Sequence, residues 1–206
     1  LLMYEPRGHE VMSGACLVPP CRADADFGVI YIETGGYLPM CGHDTIGLCT
    51  ALTECGLHPV TEPVTTIRLD TPAGLVVAEV EMDAGKAKSV RFRNIPSFLH
   101  GTYRIRVEGL GTVKCDVAYG GNYYAIVDAE PLGLALEPSN GSKIVATAQR
   151  IRQALNEQAD IVHPEADYIR SVTHVEFYSP PTRPEAHARN AVVVPPGGID
   201  RSPCGT

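Results

Sequence analysis

The sequence predicts a mixed α/β (α+β) protein of many short strands and few helices, and three observations carry that expectation. First, 17 Pro and 20 Gly are spread along all 206 residues, the density of punctuation that short strands and tight turns require. Second, β-branched and aromatic runs recur between those turns. Third, only two segments carry a helical pattern. At 44% hydrophobic and 20% charged residues the composition is that of an ordinary globular chain, long enough for two domains of about 100 residues each. We place them at 1–100 and 101–206.

Taken in order, Asp26 to Tyr37 reads as a strand closed by Gly35-Gly36. Thr45 to Cys55 is almost uncharged and is followed by Gly56, which predicts a short helix, apolar on nearly every side and so buried, with Gly56 just past its end. Thr66 to Asp83 reads as two strands about the turn Thr71-Pro72-Ala73-Gly74, and Lys88 to Phe92 alternates like another strand. Asn94 to Phe98 interrupts the pattern, and the crossing into the second domain is placed near His100. Strands are expected at Tyr103–Val107, Cys115–Tyr119, Tyr123–Val127, Val172–Tyr178 and Ala191–Val194. Ser142 to Leu155 is the longer amphipathic helix, with Ile144, Ala148, Ile151 and Leu155 on one stripe.

A formal charge of −7 without any Lys/Arg cluster argues against nucleic acid or an anionic membrane as partner, since both need a concentrated positive field. A small-molecule substrate is expected instead. No apolar run approaches the roughly 18 residues needed to span a bilayer, so the sequence reads as soluble and cytoplasmic. Seven cysteines are an odd number, too sparse for a disulfide-stapled secreted domain. Reduced thiols are expected.

Two of those thiols stand in equivalent settings. Cys41-Gly42-His43 leads from a strand into the first helix, and Cys204-Gly205-Thr206 repeats the pattern at the end of the chain, where a second helix would be expected to follow. The sequence therefore reads as part of a longer protein. A thiol at the first turn of a helix faces unpaired backbone N–H groups and the positive end of the macrodipole, so the pKa of Cys41 is expected to fall below the ~8.5 of a free cysteine. The same N–H groups suit a carboxylate. Inverting a stereocentre by proton transfer takes a base on one face and an acid on the other, and a pair of such cysteines meets that need without pyridoxal phosphate. No glycine-rich phosphate cradle is evident, and no cofactor is implied.

Glu5-Pro6-Arg7-Gly8-His9, Gly36-Tyr37-Leu38-Pro39-Met40-Cys41-Gly42-His43, Asp70-Thr71-Pro72-Ala73-Gly74, Gly120-Gly121-Asn122 and Asp200-Arg201-Ser202-Pro203-Cys204-Gly205-Thr206 together resemble, in order, the motifs of the proline racemase family. The resemblance implies a diaminopimelate-epimerase-like fold of two similar domains, each with strands around a central helix and the active site in the cleft between them. It implies that Cys41 and Cys204 are the catalytic proton-transfer pair. It places carboxylate-binding backbone at Gly42, His43, Gly205 and Thr206, and sets His43 and Asp200 near the substrate nitrogen. A homodimer is compatible with it.

The family includes proline racemases, 4-hydroxyproline 2-epimerases and trans-3-hydroxyproline dehydratases. Dehydratases commonly carry Thr where this chain has Cys204, which disfavours them. His174 falls where hydroxyproline epimerases carry His and could bond a ring hydroxyl. Ser13 occupies a position that resembles that of the bulky Phe of proline racemase, so the small polar residue leaves room for a substituted ring. Both favour 4-hydroxyproline over proline. The competing reading from another class is a redox or zinc-binding protein using Cys41, His43 and Cys204; Cys16 and Cys21 also suggest metal ligation, but neither CxxC-type spacing nor a second pair accompanies them. No metal is assigned, and Cys16, Cys49, Cys55 and Cys115 are expected only to pack.

Overall fold

A computed structural model describes residues 2–9, 11–202 and 204. Its chain divides into two compact units. The first contains residues 2–8, 12–96 and 204, and the second contains residues 9, 11 and 97–202. Gly205 and Thr206, both expected to bind substrate, lie outside the described residues.

The first unit holds β1 (Ser13–Val18), β2 (Phe27–Glu33), β3 (Gly36–Leu38), α1 (Gly42–Glu54), β4 (Val64–Thr71), β5 (Gly74–Asp83) and β6 (Lys86–Arg93). Its sheet runs β1-β2-β4-β5-β6, with β3 paired to β2. The expected hairpin forms with Thr71 opposite Gly74, leaving Pro72-Ala73 as a two-residue turn. Alternation along β4 and β5 buries Ile67, Leu69, Val76, Ala78, Val80 and Met82, the period-2 signature of a sheet with one face in the core.

Helix α1 packs against β1, β5 and β6. Since β1 and β6 are opposite ends of a strand path about 19 Å wide at ~4.8 Å per strand, one helix can reach both only if the sheet curls around it. The helix is nevertheless not buried on nearly every side, as its composition suggested. Thr45, Cys49, Leu52 and Thr53 are buried, one stripe at helical spacing, while Ile46 is 43% exposed. Gly56 ends the helix as expected. At φ +67° its backbone is left-handed, and its N–H bonds the Thr53 carbonyl while the Leu57 N–H bonds that of Leu52.

The second unit holds β7 (Phe98–Val107), β8 (Gly111–Tyr119), β9 (Tyr123–Asp128), α2 (Gly141–Gln158), β10 (His174–Ser179), β11 (Arg189–Val194) and β12 (Gly198–Ile199), in the order β12-β11-β10-β9-β8-β7. The stripe Ile144, Ala148, Ile151 and Leu155 is buried as expected. Helix α2 touches β7 at one edge and β12 at the other, so this sheet also curls about its helix.

Each sheet contains a single parallel seam among its described pairings. These are β2 with β4, across the connection that holds α1, and β9 with β10, across the connection that holds α2. Parallel neighbours need a long crossover, and in both units a helix supplies it.

Candidate active site

Cys41 is the residue that caps the N-terminus of α1, with extended backbone (φ −138°, ψ 118°). Gly42 is the first helical residue, and an added methyl there would just touch the Phe92 ring of β6 at 3.4 Å, so the helix start lies beside the sheet. The cap is locked from inside. Thr45 donates its hydroxyl to the Cys41 carbonyl oxygen at 2.8 Å and its N–H to the same oxygen at 3.1 Å. The buried Tyr31 hydroxyl lies 2.6 Å from the Thr45 hydroxyl oxygen and must be the donor, because Thr45 has already spent its hydrogen. Tyr31 and Thr45 are contributors that sequence reading missed. Their only signal was a Thr four residues after the cysteine.

The thiol itself departs from expectation. Cys41 is 8% exposed; burial pushes its pKa well above the ordinary value, and the Asp44 carboxylate adds to the rise against an opposing backbone hydrogen bond from Asp44. The downward shift expected from the helix terminus is overturned. A terminal dipole contributes typically 0.3–1 kcal/mol, whereas burial can displace a pKa by several units. At neutral pH Cys41 is held as the thiol, the acid form.

Ser13, at the start of β1, and His43, in the first turn of α1, are brought together. The Ser13 hydroxyl donates to Asp44 Oδ1 at 2.9 Å and lies 2.8 Å from His43 Nε2. A hydroxyl has one hydrogen, and here it goes to the carboxylate, so Nε2 must carry the proton it donates to Ser13. His43 Nε2 is also 3.5 Å from Asp44 Oδ1. Asp44 was not assigned from sequence; an acid in the first turn of a helix was the available signal. The ligand-type atoms of Cys41, His43 and Asp44 all lie within 4.8 Å of one another.

In the second unit His174 opens β10, directly across the parallel seam from Tyr124. Side chains at matched positions of adjacent strands sit about 4.8 Å apart, and the two rings stack at 4.7 Å. His174 is 2% exposed. Burial lowers its pKa to about 4, with Asp200 pulling upward and Arg152 further downward, so the ring is neutral at physiological pH. One nitrogen, Nδ1, lies 2.7 Å from the Thr173 hydroxyl. Helix α2 fixes the approach to this strand: Asn156 accepts from the Val172 N–H and donates to the Val172 carbonyl at 2.8 and 2.9 Å, and Arg152 donates to the Thr173 carbonyl at 3.3 Å. Asp200 Oδ1 accepts the Ser202 N–H at 2.8 Å, a local turn. Cys204 is half-buried with left-handed backbone (φ 58°), a region a non-glycine residue seldom occupies.

Among the other thiols, Cys49 and Cys115 are buried, as expected of packing residues, whereas Cys16 and Cys55, also expected to pack, are exposed because one lies on the edge strand β1 and the other caps the end of α1; Cys21 is exposed as well. No disulfide joins the seven cysteines. Among the described residues no helix is long and apolar enough to cross a membrane.

These features define a class, a two-sheet α+β protein that sets a buried thiol at the N-terminus of a sheet-wrapped helix. The chain belongs to the proline racemase family, whose model matches residues 1–206. It is 54% identical over 207 residues to a 4-hydroxyproline 2-epimerase of Streptosporangium roseum and 46% identical over 206 residues to a proline racemase of Clostridioides difficile, in each case with all of this chain aligned to 62% of the relative. The crystal structure of a hydroxyproline epimerase from Agrobacterium vitis, with bound trans-4-hydroxy-L-proline, superposes with a TM-score of 0.92 at 35% identity, covering all of this chain and 59% of that one. The chain thus spans about three fifths of the length of these relatives.

Proposed function

We propose that the protein is a cofactor-independent isomerase that inverts the α-carbon of 4-hydroxyproline, with Cys41 and Cys204 as the acid and base. The observation that carries this reading is the placement of Cys41, a buried thiol at the N-cap of a helix whose first-turn N–H groups have no partner within the helix. In a member of this family such a cap supplies both a proton donor and a carboxylate seat at Gly42 and His43. The names of the 54% identical relative and of the superposed structure, with its bound trans-4-hydroxy-L-proline, support this substrate.

In the same reading Asp200 and His43 lie near the substrate nitrogen, and Gly205 and Thr206 complete the carboxylate seat. Ser13 leaves room for a ring substituent. His174 offers the ring nitrogen not engaged by Thr173 to the hydroxyl; because His174 is so deeply buried, that bond forms in a water-excluded space where it is electrostatically stronger. Protonation of an enolate-like carbanion by Cys41 and its formation by the opposing cysteine exchange roles when the reaction reverses, so no cofactor enters. The protein is read as cytoplasmic and as acting on a small molecule, a reading with which a homodimer is compatible.

The test is solvent exchange. Full-length protein in deuterated buffer with a chelator is given trans-4-hydroxy-L-proline, L-proline or trans-3-hydroxy-L-proline, and products are read by mass and polarimetry. Deuterium at the α-carbon with inversion of 4-hydroxyproline is expected. Faster inversion of proline would favour the racemase instead, and loss of water from the 3-hydroxy compound would favour the dehydratase.

A further inference from the structure

The Cys41–His43–Asp44 cluster gathers a buried carboxylate, a thiol set against it and an imidazole in one place. Asp44 Oδ1 accepts from Ser13, but Oδ2 is buried and receives no hydrogen bond within the described residues, in a side chain only 11% exposed. Leaving a buried carboxylate oxygen unsatisfied is costly. Around it stand one sulfur and one imidazole, and the three ligand-type atoms lie within 4.8 Å of each other.

We infer that Cys41, His43 and Asp44 form a binding site for a borderline divalent transition-metal ion, of which Zn²⁺ is the representative, and that an ion seated there silences the site. Thiolate, imidazole and carboxylate are the donor set such an ion takes. On binding, the Cys41 S–H bond breaks, its proton leaves to solvent and a sulfur–metal bond forms, while the His43 ring proton moves from Nε2 to Nδ1 so that Nε2 can bond the ion, with no change of oxidation state. The dication then balances one thiolate and one carboxylate. Tetrahedral zinc spaces its ligands about 3.5 Å apart; His43 Nε2 and Asp44 Oδ1 already stand at 3.5 Å, and no pair of the three ligand atoms, all within 4.8 Å of one another, need close by more than about 1.3 Å. His43, with 43% of its side chain exposed, has the freedom to make that movement and marks the route of entry. The positive end of α1 opposes a cation, by about fivefold in affinity, a small factor against three ligand bonds. The fourth position stays open to water.

The consequence for activity rests on the proposed function, because an ion bonded to the Cys41 sulfur removes the proton donor. The site itself does not rest on it, and the two are separated by a spectroscopic readout. Reduced, chelator-stripped full-length protein is titrated with Co²⁺ as the visible stand-in for Zn²⁺. One equivalent per chain is expected to give a sulfur-to-cobalt charge-transfer band that Zn²⁺ bleaches. Cys41→Ser should abolish the band, and Asp44→Asn should weaken cobalt affinity by about 10- to 100-fold, with folding of both checked by circular dichroism. A triple replacement of the exposed Cys16, Cys21 and Cys55 by Ser should leave the band intact. A band that survives Cys41→Ser, or an affinity unmoved by Asp44→Asn, overturns the site. In parallel, stoichiometric Zn²⁺ should stop α-hydrogen exchange and a chelator should restore it; full exchange by the zinc-saturated protein overturns the silencing. A normal cobalt band in a protein that never exchanges substrate hydrogen supports the site and sinks only the epimerase reading.

Discussion

The two histidines assigned to substrate binding show what the same side chain becomes in different surroundings. His43 sits in the first turn of α1, nearly half exposed, donating from Nε2 to Ser13 beside the carboxylate of Asp44. His174 opens a strand in the core, stacked on Tyr124 and stripped of water, with Asp200 too weak an influence to keep it charged. The first belongs to a polar cluster that water can reach. The second is a fixed neutral hydrogen-bonding group, suited to recognising a hydroxyl and unsuited to carrying charge.

The largest effect expected from attacking the first environment is on Cys41. Replacing it by Ser in the full-length protein should lower kcat for inversion by about 10²- to 10⁴-fold, the usual worth of a positioned acid or base, with the circular dichroism spectrum unchanged; Cys204→Ser should match it. A single variant with near-normal turnover would dismantle the two-thiol assignment. In the second environment, His174→Ala should reduce kcat/KM for 4-hydroxyproline about tenfold more than for proline, the price of leaving a ring hydroxyl unpaired. Equal losses on both substrates would assign His174 to the core alone.

The pH response sharpens the contrast further. A histidine whose pKa is about 4 when folded and ~6.5 when unfolded contributes stability that is fully present above 6.5 and is lost as the pH falls from there towards 4. Urea midpoints should therefore show the parent losing about 2 kcal/mol more than His174→Gln between pH 7.5 and pH 5. An identical slope for both would mean that the ring is not buried neutral. The smallest change expected is for Ser13→Ala, which removes the bridge between His43 and Asp44. About 1 kcal/mol is at stake, so a severalfold drop in kcat/KM should appear with little shift in thermal midpoint.

What could be read in the sequence depended on periodicity. The α2 stripe from Ile144 to Leu155, the hairpin at Pro72-Ala73 and the left-handed Gly56 each carry a repeating or steric signal and appear where they were expected. Strand β1 escaped because it is an edge strand whose residues grade from half-buried to exposed without alternation, so nothing in Ser13–Val18 marks one face as inward. Cys41 was found from its motif, yet the direction of its acidity was not, because the dipole is local to the sequence whereas desolvation depends on strands folded over it. Asp44 was invisible as a functional group for the same reason: its partner Ser13 is 31 residues away.

The unequal seams of the first sheet have a dynamic consequence. Strands β4 and β5 are joined through eight paired positions, whereas β2 meets β4 through only two, Phe27 with Leu69 and Gly28 with Asp70; the Asp26 side chain extends that line by accepting the Arg68 N–H at 2.7 Å. Local opening starts where few bonds must break. Amide protons along this junction should therefore exchange with solvent sooner than those of the β4–β5 hairpin, and trimming the Asp26 carboxylate should hasten the parting of the two halves of the sheet that enclose α1.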